Sequence, residues 1–325
     1  MSPFYSCPMM YLDYSKMPEF LAEHFGERRS DRLAGVQRRY DSGYHSVVRF
    51  FGPDRVDPSD IAVNYLNTPW SLADPIISEY AEEMEKRFRA EGRLYDGPPA
   101  MKLAACDLET SPRSITVQPV NYGLQAATCF ALDHPHKLFE AYGGTLRDYY
   151  RRDRTTLSVT DNPLAICLGV CAYVIVEERG RAYLVQVKRS GHLASLENSL
   201  GPTVAGVVDY VQGYTNLTAL TLASLTSEIS EEIDMRRAEY KIVSLGWGLE
   251  IFRGERPQIF CVVRTGLERM ELAERLEAIA PANREFDSYE FHRLYGGALV
   301  DRKIFDSLNV EARMNYLLLE EYLSL

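Results

Sequence analysis

The sequence predicts an α/β protein in which a mixed sheet lies between helices, with an α+β portion at its N-terminal end. Three observations predict it. Two pairs of apolar, β-rich runs, 164–177 with 182–188 and 240–252 with 258–264, are each joined by a short polar turn, the pattern of long β-hairpins. Between and after them stand runs whose apolar residues recur at spacings of three and four, which is helical periodicity. The first 160 residues carry a looser mixture of strand-like and helix-like segments, so the chain divides by pattern into 1–160 and 161–325.

Composition narrows the functional classes. At 325 residues, with 46% hydrophobic and 25% charged content, the chain is long enough to bury one large core or two ordinary ones and has the balance of a soluble protein. A formal charge of −10 argues against an extended nucleic-acid surface, which is built from clustered Lys and Arg. The six cysteines (Cys7, Cys106, Cys129, Cys167, Cys171, Cys261) are scattered and form no Cys-x-x-Cys pair, so neither a zinc site nor a dense disulfide framework is suggested, and reduced thiols in a cytoplasmic protein are the simplest account. The N-terminus has no signal-peptide pattern, and the longest apolar run, 164–176, is too short to span a bilayer as a helix. Oligomeric state is not readable.

In chain order, 46–51 reads as a strand. Asp74-Pro75 starts a helix, with Asp as cap and Pro at the first position, and Ile77, Tyr80, Met84 and Phe88 form its apolar face until Gly92. After the Asp96-Gly97-Pro98-Pro99 breaker, 101–109 and 114–120 read as strands joined around Thr110-Ser111-Pro112, and 120–132 as a continuation of the sheet. The segment 133–163 is the most linker-like. It holds Asp133-His134-Pro135-His136, a candidate pair of metal ligands or an ordinary loop. Arg147, Arg151, Arg152 and Arg154 follow, a candidate phosphate clamp or a solvated helix face. The 21 tyrosines supply stacking groups, most of them for the core.

Beyond the first hairpin, which ends in Lys188-Arg189-Ser190, residues 204–209 read as a short buried strand whose Gly206 permits close approach of backbone or ligand. A helix follows, capped by Thr215 or Asn216, with Leu222, Leu225, Ile229 and Ile233 as its apolar stripe and Glu228, Glu231 and Glu232 beside it. Carboxylates at i, i+3 and i+4 repel one another unless a cation lies between them. Oxygen-rich sites suit Mg2+ or Mn2+, and the same spacing also fits a solvated acidic face. After the second hairpin come a helix at 268–279, a strand or loop at 285–292, and a helix from Asn309.

The order of hairpin, glycine strand, acidic helix, hairpin and helix resembles the Nudix hydrolase family, whose signature ends in Arg-Glu-U-x-Glu-Glu-x-Gly-U, with U aliphatic. Glu228, Ile229, Glu231, Glu232 and Met235 match it within a divergent box at about 206–235, and the resemblance covers roughly 160–300. Strict counting puts Gly213 on the box glycine, while the preceding strand makes Gly206 its structural equivalent. The resemblance implies a Nudix-like fold, metal-binding at Glu228, Glu231 and Glu232, and hydrolysis of a nucleoside-diphosphate-linked or related small molecule with Mg2+ or Mn2+. Catalytic roles fall to Glu231 and Glu232, the latter accepting the water's proton, with Glu285 and Glu290 as further candidates; Lys188, Arg189 and Gly206 would meet the substrate. Three positions depart from the signature: Ser227 for Arg, Asp234 for Gly, and Ala219 for an earlier Glu. These departures define the alternative, a catalytically degenerate Nudix-fold protein that binds or senses a nucleotide-derived ligand. A third reading is an enzyme that rearranges a diphosphate or other small molecule on this fold.

Overall fold

A computed structural model describes residues 11–26, 36–39, 43–53, 55–94, 97–108, 111–152, 162–191, 193, 196, 198–280, 284–299 and 303–325. Its N-terminal part runs α1 (Met17–Gly26), β1 (Val36–Arg39), β2 (Tyr44–Arg49), β3 (Ala62–Tyr65), α2 (Pro75–Ala90), β4 (Ala100–Asp107), β5 (Ser114–Val120), α3 (Tyr122–Cys129) and α4 (Leu146–Arg151). Asp74 caps α2 as its sequence predicts, accepting from the Ile76 and Ile77 amides, and Ile77, Tyr80, Met84 and Phe88 are buried. The stretch after β5 is a helix rather than more sheet. Asn121 accepts from the Gly123 amide at 2.6 Å and starts α3, whose Ala126 and Ala127 are buried in one core with α2.

Within the segment expected to be a linker, residues 133–152 are folded. Phe139, Leu146 and Tyr149 join the core around α2, and Arg147 is buried with its Nε and Nη2 donating to Asp133 at 2.7 and 2.9 Å and its Nη1 to the Phe252 carbonyl. A guanidinium whose donors are spent on a carboxylate and a carbonyl holds a fold together and offers little to a phosphate. Arg152 lies over the Tyr149 ring at 3.8 Å, and Arg154, like Cys7, lies outside the described residues.

The second part runs β6 (Gly169–Glu178), β7 (Arg181–Arg189), β8 (Leu200–Gly201), β9 (Val204–Val207), α5 (Leu217–Ile233), β10 (Tyr240–Glu250), β11 (Arg256–Thr265), α6 (Arg269–Ala278), β12 (Phe286–Tyr295), β13 (Ala298–Leu299), α7 (Lys303–Ser307) and α8 (Val310–Leu323). Strands pair in the order β1-β2-β10-β11-β6-β7-β12-β13, with β8 on β7 and β9 on β6. Only the β11–β6 pair in this sheet is parallel, so it is mixed. Along β6, Val170, Ala172, Val174 and Val176 pack under α5 and α6, while Cys171, Tyr173 and Ile175 pack under α8. The period-two alternation thus sandwiches the sheet between helices, as expected.

Two features place the site. The first half of β6 pairs with β9, from Gly169↔Val207 to Ala172↔Val204, and the second half pairs with β7, from Val174↔Val185 to Glu178↔Arg181. The sheet therefore forks beside β6. Thr203 is buried at the crotch: its Oγ1 accepts from the Val174 amide at 2.9 Å and its hydroxyl donates to the Val185 carbonyl, so the split leaves those two groups satisfied. The second feature is the small sheet β3-β5-β4, which docks on this end through Met101 N–H to the Val208 carbonyl at 2.8 Å and Leu168 N–H to the Met101 carbonyl at 2.7 Å. Val63, Met101, Leu103, Ile115 and Val117 share one core with Val170 and Ile229. Among the described residues no helix is long and apolar enough to cross a membrane, and the five described cysteines are free.

Candidate active site

Asn216 caps α5 by accepting from the Ala219 amide at 2.9 Å. Leu217, Leu220, Leu225, Ile229 and Ile233 are buried, whereas Leu222 is only half-buried, so the stripe is rotated slightly from the expected one. The three glutamates consequently differ in exposure. Glu232 lies at the buried edge, 8% exposed, Glu228 is half-buried and Glu231 is exposed. The helix ends at Asp234 with φ 50° and ψ 42°, the left-handed conformation that glycine supplies most easily and Asp tolerates.

A cavity of about 250 Å³ opens at the fork. Glu228, Asp209 and Glu285 form an acidic wall; Arg189 and Arg256 bring guanidinium groups; Ala100, Tyr122 and Phe130 add an apolar side. Gly206 faces Glu228 so closely that a Cβ there would overlap the carboxylate. Burial, with the charges of Glu285, Glu231 and Asp209, pushes the Glu228 carboxyl up to about 7. Burial, then Glu285 and Glu228, drives Glu232 well above the usual carboxylate range, an effect that Arg189 partly offsets. Each of the two carboxyls thus raises or adjusts the other, and the Ala205 amide donates to Glu232 at 3.4 Å. Partial burial and Glu231 raise Asp209.

Hard oxygen donors that are buried, mutually repelling and short of cations fit Mg2+ or Mn2+, and Glu228 with Glu232 are the residues that would hold one. Among the described residues, however, no three Asp, Glu, His or Cys side chains converge as an ion-holding group. Glu231 is exposed and accepts from the Ser227 hydroxyl at 2.8 Å. The serine that replaces the signature arginine thus still bonds a glutamate of the triplet.

The other candidates separate cleanly. Arg189 lines the cavity, with Nη2 3.9 Å from Glu285 Oε2. Lys188 does not; it is the exposed neighbour, sent to the opposite sheet face by strand alternation. Glu285 lines the cavity, while Glu290 lies on β12 beside His292 at 3.4 Å, outside it. His134 meets Arg87 at 2.7 Å and His136 meets Glu83 at 3.1 Å, each a packing contact. Gly213 adopts φ 108° in the loop before α5, with nothing near a Cβ placed there.

Sequence reasoning missed Asp209, Tyr122, Arg256 and Glu311 as cavity residues. Asp209 directly follows the glycine strand and was findable by position. Arg256 was not, because Arg253-Gly254-Glu255-Arg256 has the composition of a solvated turn, yet Arg253 is fully buried and Arg256 is 4% exposed.

No model of a known protein family matches the chain, and no curated relative matches it. Solved structures that resemble it include DR0079 from Deinococcus radiodurans, 16% identical with a TM-score of 0.31, covering 47% of this chain and 80% of that one. The NUDIX domain of Shewanella oneidensis NrtR, in complex with ADP ribose, is 12% identical with a TM-score of 0.32 and covers 55% of this chain and 99% of that one. The C. elegans Ap4A hydrolase is 9% identical with a TM-score of 0.30, covering 48% and 96%. All three likenesses are remote, and the functional reading rests on the cavity's own residues.

Proposed function

We propose that this protein hydrolyses a diphosphate linkage in a nucleotide-derived small molecule with the help of Mg2+ or Mn2+. The observation that carries this reading is the fork cavity, lined by Glu228 packed against Gly206, by Asp209, Glu285 and Arg189, with the buried Glu232 electrostatically coupled to Glu228 behind it. When bound, the cation supplies neutralisation of phosphate oxygens and a more acidic water. Glu228 and Glu232 hold it, with Glu231 as the third candidate ligand. Arg189 binds phosphate oxygens through its planar fork of donors. Glu285, on the cavity wall, is better placed than the inward-lying Glu232 to accept the water's proton. The 1–160 region contributes Gly97, Pro98, Ala100, Tyr122 and Phe130 to the wall and so shapes the pocket for whatever group the diphosphate carries. A cytoplasmic setting, in keeping with the free thiols, belongs to the same proposal.

One observation favours the second reading, a protein that binds or senses such a ligand without turnover: Glu231 is exposed and bonded to Ser227, outside the residues that line the cavity. Phosphorus-containing products from a panel of nucleoside diphosphate derivatives, assayed with Mg2+ or Mn2+, decide between them. The hydrolase reading expects turnover that Glu228→Gln and Glu232→Gln abolish. Turnover indifferent to both substitutions defeats the metal assignment, and thermal stabilisation by a panel member without products supports the sensor.

A further inference from the structure

The cavity has a floor beyond the acidic wall, formed by Arg256 at the start of β11 and Glu311 in the first turn of α8. Arg256 Nη1 donates to Glu311 Oε1 at 2.6 Å, and the same oxygen accepts from Arg253 Nη2 at 2.5 Å. Arg253 also pairs with Glu250. Two guanidiniums therefore share Glu311. Burial raises the Glu250 carboxyl despite Arg253, while Glu311, also buried, is held at about 2 by Arg253 and Arg256. Arg256 is 4% exposed, and its Nε is buried without a hydrogen-bond partner among the described residues. The Nε of Arg189, which lines the same cavity, is in the same condition. Both arginines line the same cavity, where a guanidinium offers a planar fork of donors to an anion. Gly169 completes the arrangement: a Cβ there would strike both Gln258 Oε1 and Arg256 Nη2, so the guanidinium and the amide lie against bare backbone.

We propose that Arg256, oriented by Glu311 and given room by Gly169, is a second anion-binding residue, so that a diphosphate is gripped by Arg189 and Arg256 together. The ligand class rests on the hydrolase reading; the site rests on the two arginines that line one cavity. The alternative is that Arg256 serves only as a structural counter-ion for Glu311. Arg256→Lys keeps the charge opposite Glu311 and removes the fork.

Methylenediphosphonate, a diphosphate analogue that cannot be hydrolysed, is titrated calorimetrically in the presence of Mg2+ into the whole chain, into Arg256→Lys, and into Arg179→Lys as a control at an exposed hairpin turn. The expected result is binding by the wild type and the control, weakened roughly tenfold or more in Arg256→Lys, with thermal unfolding unchanged. No binding by the wild type, or equal binding by Arg256→Lys, overturns the proposal. If Arg256→Lys does not fold, Gly169→Ala carries the same test by displacing the guanidinium together with the Gln258 amide, with Gln258→Ala as its control: weaker binding in Gly169→Ala than in Gln258→Ala supports the site and equal binding refutes it. Turnover on the nucleotide panel is scored separately, so a protein that binds the analogue through Arg256 but hydrolyses nothing loses the reaction and keeps the site.

Discussion

Gly206 on β9 and Glu228 on α5 occupy space that a single methyl group would take from both, since a Cβ on the glycine would overlap the glutamate's carboxylate. The glycine is needed there for close approach, because its backbone is not in the left-handed region. The carboxylate is thereby held at the fork, facing the cavity.

Gly206→Ala accordingly expels the Glu228 carboxylate from its position. The expected outcome is a loss of kcat/KM of roughly a hundredfold on any substrate of the panel, since a ligand displaced by about 1 Å costs about that much. Circular dichroism and thermal unfolding should show a folded protein, because β9 lies at the fork and its backbone need not break. Unchanged kcat/KM in the folded variant removes Glu228 from the chemistry.

Ser227 and Glu231 form a hydrogen bond of 2.8 Å on the exposed margin of α5. Ser227→Ala should change stability by less than about 0.5 kcal/mol, the usual range for a surface position. If this bond positions Glu231 for cation binding, the Mg2+ concentration giving half-maximal turnover rises severalfold. A Mg2+ titration identical to that of the wild type would make the bond a surface ornament of the helix.

Lys102 is 1% exposed, its Nζ 4.9 Å from the Trp70 ring and 3.4 Å from the Leu103 carbonyl, with no carboxylate paired to it among the described contacts. Burial pulls its pKa from 10.5 down to about 8. Between about 8 and 10.5 the unfolded chain binds the proton that the folded chain releases, so this residue makes stability rise with pH across that window. Below about 8 the burial penalty is fully present. Lys102→Met should therefore stabilise the protein at pH 7 by about 1–3 kcal/mol, offset in part by the lost cation–π contact. Urea unfolding at pH 7 and pH 10 checks both parts: the gain should shrink at the higher pH, and destabilisation at pH 7 would show that the ammonium has a use in the fold.

Much of the architecture was legible because it is local. The Asp74-Pro75 start, the Asn216 and Asn309 caps, and both long hairpins depend on a few neighbouring residues, and all appear where the sequence places them. Reading 120–132 as sheet missed the Asn121 cap, and treating 133–163 as a linker missed a core whose partners, such as Phe252 above Arg147, lie about a hundred residues away. Arg253 and Arg256 looked like surface charge for the same reason. Their carboxylate Glu311 arrives from α8, and no local pattern announces it.

The acidic triplet shows where the division falls. Helical periodicity by itself put Glu228, Glu231 and Glu232 on the margin of an amphipathic helix, because that depends only on the rise and turn of the backbone. Which of them enters a cavity was decided by tertiary structure: the fork between β7 and β9, the missing side chain at Gly206, and the facing charges of Glu285 and Arg189. Charge and burial are properties of what surrounds a residue in space, so a chain read in one dimension supplies the carboxylates and leaves their protonation, partners and exposure to the fold.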